Sequence, residues 1–121
     1  MVLGDFAMKT HHAIDYVEFP AVELSSVKSF YGKAFGWAFA DYGPTYAAPV
    51  NAGLDGGFQA DPEEAPSKPL VILYSLDLEQ SVRAVEDAGG TIVRPIFAFP
   101  GGRRFHFADP SGNELAIWSD L

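Results

Sequence analysis

The sequence predicts an α+β fold assembled from two βαβββ modules, and three observations predict it. Residues 104–118, RFHFADPSGNELAIW, alternate apolar and other side chains on both sides of a turn-forming centre, as a β-hairpin does. The order strand, helix, then short strands occurs twice along the chain. Displacing the sequence on itself by 55 positions sets Tyr16 on Val71, Val17 on Ile72, Val27 on Val82 and Lys28 on Arg83, the pattern of an internal repeat.

Residues 1–13 form an N-terminal extension with neither a basic start nor a long apolar run, so neither a signal peptide nor a membrane span is expected. Residues 14–19, IDYVEF, alternate as a strand, and Pro20 closes it. In 23–35, Leu24, Val27, Phe30, Tyr31 and Ala34 recur at helical spacing and predict a buried stripe, with Phe30 and Tyr31 in the core and Gly36 as the stop. Short strands are expected at 37–42, 45–50 and 54–59, where Gly56-Gly57 marks a bulge or close packing. Residues 61–69, polar and proline-bearing, link module one (14–60) to module two (70–121).

Module two opens on the nearly continuous apolar strand 70–76, followed by a helix over 78–88 that stops at Gly89-Gly90. Strands follow at 91–94 and 96–99, then a loop around Gly101 and Gly102, then the hairpin. In the hairpin turn, Asp109 before Pro110 initiates and Ser111, Gly112 and Asn113 suit turn conformations. Pairing Ala108 with Glu114 places His106 opposite Ala116 on one face, while Phe105, Phe107, Leu115 and Ile117 take the core face.

Composition removes several function classes. The chain has 121 residues, 48% hydrophobic and 14% aromatic, enough to bury a core in one domain. Eight basic residues against sixteen acidic give a net charge of -8 with no basic cluster beyond Arg103-Arg104, which excludes the footprint of a nucleic-acid binder and disfavours an anionic membrane surface. The absence of cysteine fits a cytoplasmic location and leaves no thiolate chemistry. Among titratable residues, adjacent His11 and His12 are expected to be exposed and to point apart. Glu18 shares a strand face with Tyr16 and suits a general base, or else pairs with an arginine such as Arg104. Aromatics at 37, 39, 42, 46, 58, 99 and 118 could line a pocket for a small, flat ligand, and Arg103-Arg104 could meet an anionic group at its mouth.

FYGKAFGW in the first half, DAGG after the second helix and FADPSGNELAIW at the end resemble the vicinal oxygen chelate superfamily, which includes glyoxalase I, bleomycin-resistance proteins and extradiol dioxygenases. The resemblance spans 14–118 and implies a glyoxalase-like fold: a curled mixed sheet around a cleft, helices on the convex face, in a chain that works as a homodimer. It also implies where metal ligands stand in metal-dependent members. Counting back fourteen residues from Phe30 reaches Tyr16; its counterpart in module two is Val71; seven residues after Asp109 stands Ala116; the fourth position falls near Phe58 or Gln59. Tyrosine, valine and alanine offer at most one poor donor, so no catalytic metal and no cofactor are expected.

The resulting expectation is metal-independent binding of a small molecule through Tyr16, Glu18, Phe58, Val71, Leu73, Arg104, His106, Ala116 and Trp118. The alternative is a glyoxalase-like lyase or isomerase using Glu18, His106 or Tyr16 for proton transfer, with Glu18 and His106 as its catalytic candidates. An interaction module with a filled cleft is a third, weaker option.

Overall fold

A computed structural model describes residues 9–121, so of the predicted extension 1–13 the first eight residues lie outside the described residues. Two compact units divide the chain: Tyr16–Pro69, and Leu70–Leu121 together with residues 9–15. No helix among the described residues is long and apolar enough to cross a membrane.

The first unit contains β1 (Ile14–Pro20, its first two residues grouping with the second unit), α1 (Leu24–Phe35), β2 (Phe39–Asp41), β3 (Tyr46–Pro49) and β4 (Gly56–Gln59). β1 and β4 run parallel with Phe19 beside Phe58, β3 lies antiparallel to β4, and β2 antiparallel to β3. α1 ends at Gly36, whose φ of 73° is left-handed and lets its N–H reach the Gly32 carbonyl, a conformation a side chain disfavours. The helix stripe is thinner than its spacing predicts. No residue of α1 is fully buried, and Phe30 is 59% exposed, so its assignment to the core is corrected. Tyr31 is half-buried, as it stacks on Trp37 at 4.8 Å and meets Phe58 at 5.4 Å.

The second unit contains β5 (Leu70–Tyr74), α2 (Leu78–Asp87), β6 (Thr91–Phe99), β7 (Gly102–Ala108) and β8 (Glu114–Ser119). β5 pairs parallel with β8, and β8, β7 and β6 follow antiparallel, the same order as in the first unit. α2 is capped by Asp77, whose side chain accepts from the Gln80 N–H. Its apolar face closes over a core of Leu78, Phe105 and Ile117, flanked by Leu73, Val82, Val85, Ile92, Ile96 and Phe107. The two strands expected at 91–94 and 96–99 are one strand, β6, with register shifts around Arg94 and Pro95. An outer strand tolerates the missing N–H of Pro95, so the proline bends the strand without ending it. The loop expected around Gly101 and Gly102 is short: Gly101, at φ 116°, makes a tight reversal into β7.

The hairpin forms as its sequence predicts. Ala108 pairs with Glu114 and His106 with Ala116. Asp109 organises the turn: its carboxylate accepts from the backbone N–H groups of Ser111 and Asn113 and from the Asn113 amide, and these bonds, the one from Asn113 foremost, hold its carboxyl below the ordinary range.

Candidate functional site

In each unit the helix covers one sheet face, and the chemistry-bearing side chains stand on the other. In the first unit, Tyr16 and Glu18 alternate away from the helix on β1, and Gly57 of β4 lies beside Glu18. Tyr46 enters this face from β3. Its hydroxyl donates to Glu18 Oε2 at 3.3 Å, and because a carboxylate only accepts, the short bond between the two phenols is donated by Tyr16. Tyr16 is fully buried and Glu18 is 5% exposed. Burial first, then Tyr16 and Glu18, pushes the Tyr46 phenol far above its usual range. Gly57 is what makes room: a Cβ there would fall on the hydroxyls of both tyrosines. Close packing is therefore the correct half of the expectation for Gly56-Gly57.

In the second unit, Arg104, His106, Ala116 and Trp118 share the face opposite α2, joined by Ile72 and Tyr74 through the register of β5 with β8. Across from them on β6 stand Arg94 and Phe97, paired with His106 and Arg104. The Arg94 guanidinium lies 3.5 Å over the Phe97 ring, and His106 is 5.8 Å from the same ring. His106 is 7% exposed; its Nδ1 is 2.9 Å from Glu114 Oε2, and its Nε2 has no hydrogen-bond partner among the described residues. Trp118 is committed to structure, its Nε1 donating to Asp15 at 2.9 Å and its ring meeting Tyr74 edge-on. The Tyr74 hydroxyl, bonded to Asp120 at 2.6 Å, is pushed up to about 12, by burial first and then by Asp120.

Three of the nine expected ligand residues lie on the helix faces instead. Phe58 stacks on Phe19 and meets Tyr31 of α1. Leu73 packs against the Leu78, Phe105 and Ile117 core, and Val71, two positions earlier on β5, shares its face. The cause is a single-residue slip in the repeat. The helix caps Glu23 and Asp77, and the helix-facing strand residues Phe19 and Leu73, match at a displacement of 54, not 55. Tyr16 then corresponds to Leu70, and every β5 side chain changes face. Arg103 forms a two-bond pair with Glu79 at 2.9 Å. His11 and His12 are exposed as expected but do not point apart: their rings stack at 3.7 Å because His12, at φ 63°, leaves the extended conformation. His12 Nε2 lies 2.9 Å from the Ser81 hydroxyl. A cavity of about 300 Å³ lies on the helix side of the second unit, lined by His12, Leu73, Ser81, Val85, Phe107 and Asp109 among others, and Leu73 is the one expected ligand residue that touches it.

Burial lowers the His106 imidazole below its usual 6.5; the Glu114 bond opposes this, and the charges of Arg104 and Arg94 add to it. A histidine lowered by folding binds more protons unfolded than folded, so stability rises with pH and is lost as pH falls below about 6.5. His12, lowered by burial and by His11, acts in the same direction. His106→Gln is expected to remove part of the stability difference between about pH 7.5 and about pH 5.5 seen by urea unfolding. An unchanged difference would contradict the buried neutral ring.

Two successive βαβββ units, each with a parallel outer pair and a helix on one face, define a tandem βαβββ protein. The chain belongs to the glyoxalase/bleomycin resistance protein/dioxygenase superfamily, whose sequence model matches residues 13–117. Among solved structures it resembles one described as the NAD-dependent benzaldehyde dehydrogenase from Legionella pneumophila, with 21% identity, 86% of this chain and 96% of that one covered, and a TM-score of 0.70. A superfamily member from Vibrio splendidus 12B01 matches at 14% identity, 89% and 98% coverage and TM-score 0.68. Methylmalonyl-CoA epimerase from Mycobacterium tuberculosis matches at 14% identity, 94% and 93% coverage and TM-score 0.65. At these identities the likeness is one of fold. No curated protein matches the sequence significantly.

The metal of metal-dependent relatives finds no fitting donors at the corresponding positions. These are Tyr16, whose phenol is bonded to Tyr46; Leu70 at the displacement of 54, or Val71 at 55; Ala116; and Phe58 or Gln59, of which only the Gln59 amide offers an oxygen. Among the described residues no three His, Cys, Asp or Glu side chains converge as a metal site would require.

Proposed function

We propose that this protein binds a small molecule without a metal ion, as the bleomycin-resistance branch of the resemblance does, and that the ligand is held on the second unit's sheet face at His106. The observation that carries this reading is the His106 ring: one nitrogen is anchored by Glu114, while the other, buried, has no hydrogen-bond partner among the described residues. A buried polar atom left unsatisfied costs about 1–3 kcal/mol, and a ligand that supplies the missing partner recovers it. Arg94, exposed and lying over Phe97, adds a cation beside His106.

Thermal unfolding across a small-molecule panel tests this. A ligand present at about 100 times its Kd stabilises by about 2.7 kcal/mol, and the shift is expected to persist in chelator and to shrink in His106→Ala. A shift abolished by chelator and restored by a divalent ion would overturn metal independence. Stoichiometric metal in protein purified without a histidine tag would do the same.

A further inference from the structure

The His106 ring carries chemical information about what it awaits. Glu114 Oε2, 2.9 Å from Nδ1, is a carboxylate oxygen and only accepts, so Nδ1 carries the hydrogen. In a neutral imidazole the other nitrogen, Nε2, then presents a lone pair, and its missing partner is a hydrogen-bond donor. A carboxylate or phosphate oxygen cannot fill that role. The ligand group must be an O–H or N–H, and the surroundings favour one that can give its proton up.

Resting on the reading of this face as a binding surface, we propose that its ligand is a weakly acidic hydroxyl compound, a phenol or an enol, whose proton passes to Nε2 of His106. In that step the ligand O–H bond breaks, an N–H bond forms at Nε2, and the bonding electron pair stays on the ligand oxygen. The imidazolium formed is held at Nδ1 by Glu114, which acts as a positioning residue. The charged groups beside the ring are Glu114 on β8, Arg104 on β7 and Arg94 on β6. The two arginines disfavour the imidazolium alone but favour an oxyanion next to it, so the transfer is driven only when the ligand is present. Arg94, exposed and stacked on Phe97 beside His106, offers a flat cationic surface for a conjugated ring.

The probe is 4-nitrophenol, whose ionised form absorbs visibly, and its control is 4-nitroanisole, the same ring without the acidic hydrogen. At a pH just below the phenol's own ionisation, wild-type protein is expected to bind nitrophenol about tenfold more tightly than nitroanisole and to show the phenolate band on binding. His106→Gln is expected to lose both the preference and the band. Glu114→Gln, altering an exposed side chain, is expected to fold and to weaken the band while retaining nitroanisole binding. Equal binding of both compounds, or bound nitrophenol that remains un-ionised, would overturn the proton-transfer assignment and leave small-molecule binding standing. Binding of neither compound, by wild-type protein with an ordinary unfolding transition, would overturn both.

Discussion

Phe105→Ala is expected to destabilise the protein by about 3–5 kcal/mol, the usual cost of emptying an aromatic site in a closed core. The side chain is fully buried on β7, between β6 and β8, and α2 closes over it through Leu78. Two features prevent the site from collapsing after truncation. Its neighbours are strand residues tied into ladders on both sides, and Leu78 is fixed at the helix start by the Asp77 cap. Against a total stability of about 5–15 kcal/mol, the loss takes a large share. Urea unfolding reads it as a lower midpoint at unchanged slope. Phe30→Ala, at a half-exposed position on α1, is the comparison and is expected to change stability by less than about 1 kcal/mol. A Phe105→Ala cost below that of Phe30→Ala would refute the placement of the core.

Gly57→Ala is expected to cost about 1–3 kcal/mol although it adds one methyl group. That methyl takes the space of the two hydroxyls above β4, so Tyr46 must swing away and the bonds from Tyr16 to Tyr46 and from Tyr46 to Glu18 break. Buried polar atoms then lack partners, which adds to the steric term. The mechanism predicts a rescue. In Tyr46→Ala the two nearest clashing atoms, the ring hydroxyl and its carbon, are gone and only the Tyr16 hydroxyl remains, so adding Gly57→Ala to it should cost less than adding it to wild type, and a double-mutant cycle measures the difference. Strict additivity would show that the clash lies elsewhere.

The parts of the fold legible in the sequence were those where chemistry changes from one residue to the next. The hairpin could be paired residue by residue because polar and apolar positions alternate around a turn that Asp109 and Gly112 define. β5 offers no such signal: LVILY is apolar throughout, so nothing in it says that Val71 and Leu73 face α2. The helix caps at Glu23 and Asp77 contained the correct displacement, since a cap is fixed to the backbone while apolar matches slide freely. Phe58 gives no signal of its face either, because its neighbours Gly56 and Gly57 carry no side chains to alternate with it. Tyr46 was visible only as one aromatic among many, because its importance depends on the missing side chain at Gly57, a relation between two strands. Glu114 is half-exposed, and the pairing that sets His106 opposite Ala116 makes it the diagonal neighbour of His106 on the same face, a contact implicit in the hairpin register.

Residues 9–15 group with the second unit, and Asp15 among them receives the Trp118 indole N–H and the Lys9 ammonium, while the next residue, Tyr16, belongs to the first. The chain therefore has no clean seam at its linker. Cleavage within 61–69 would release a C-terminal fragment deprived of the seven residues that complete it, with a tryptophan N–H left wanting. A self-sufficient half would have to be made by rewiring: a permuted chain in which 9–15 leads into Leu70 keeps the indole satisfied, whereas the straightforward truncation does not.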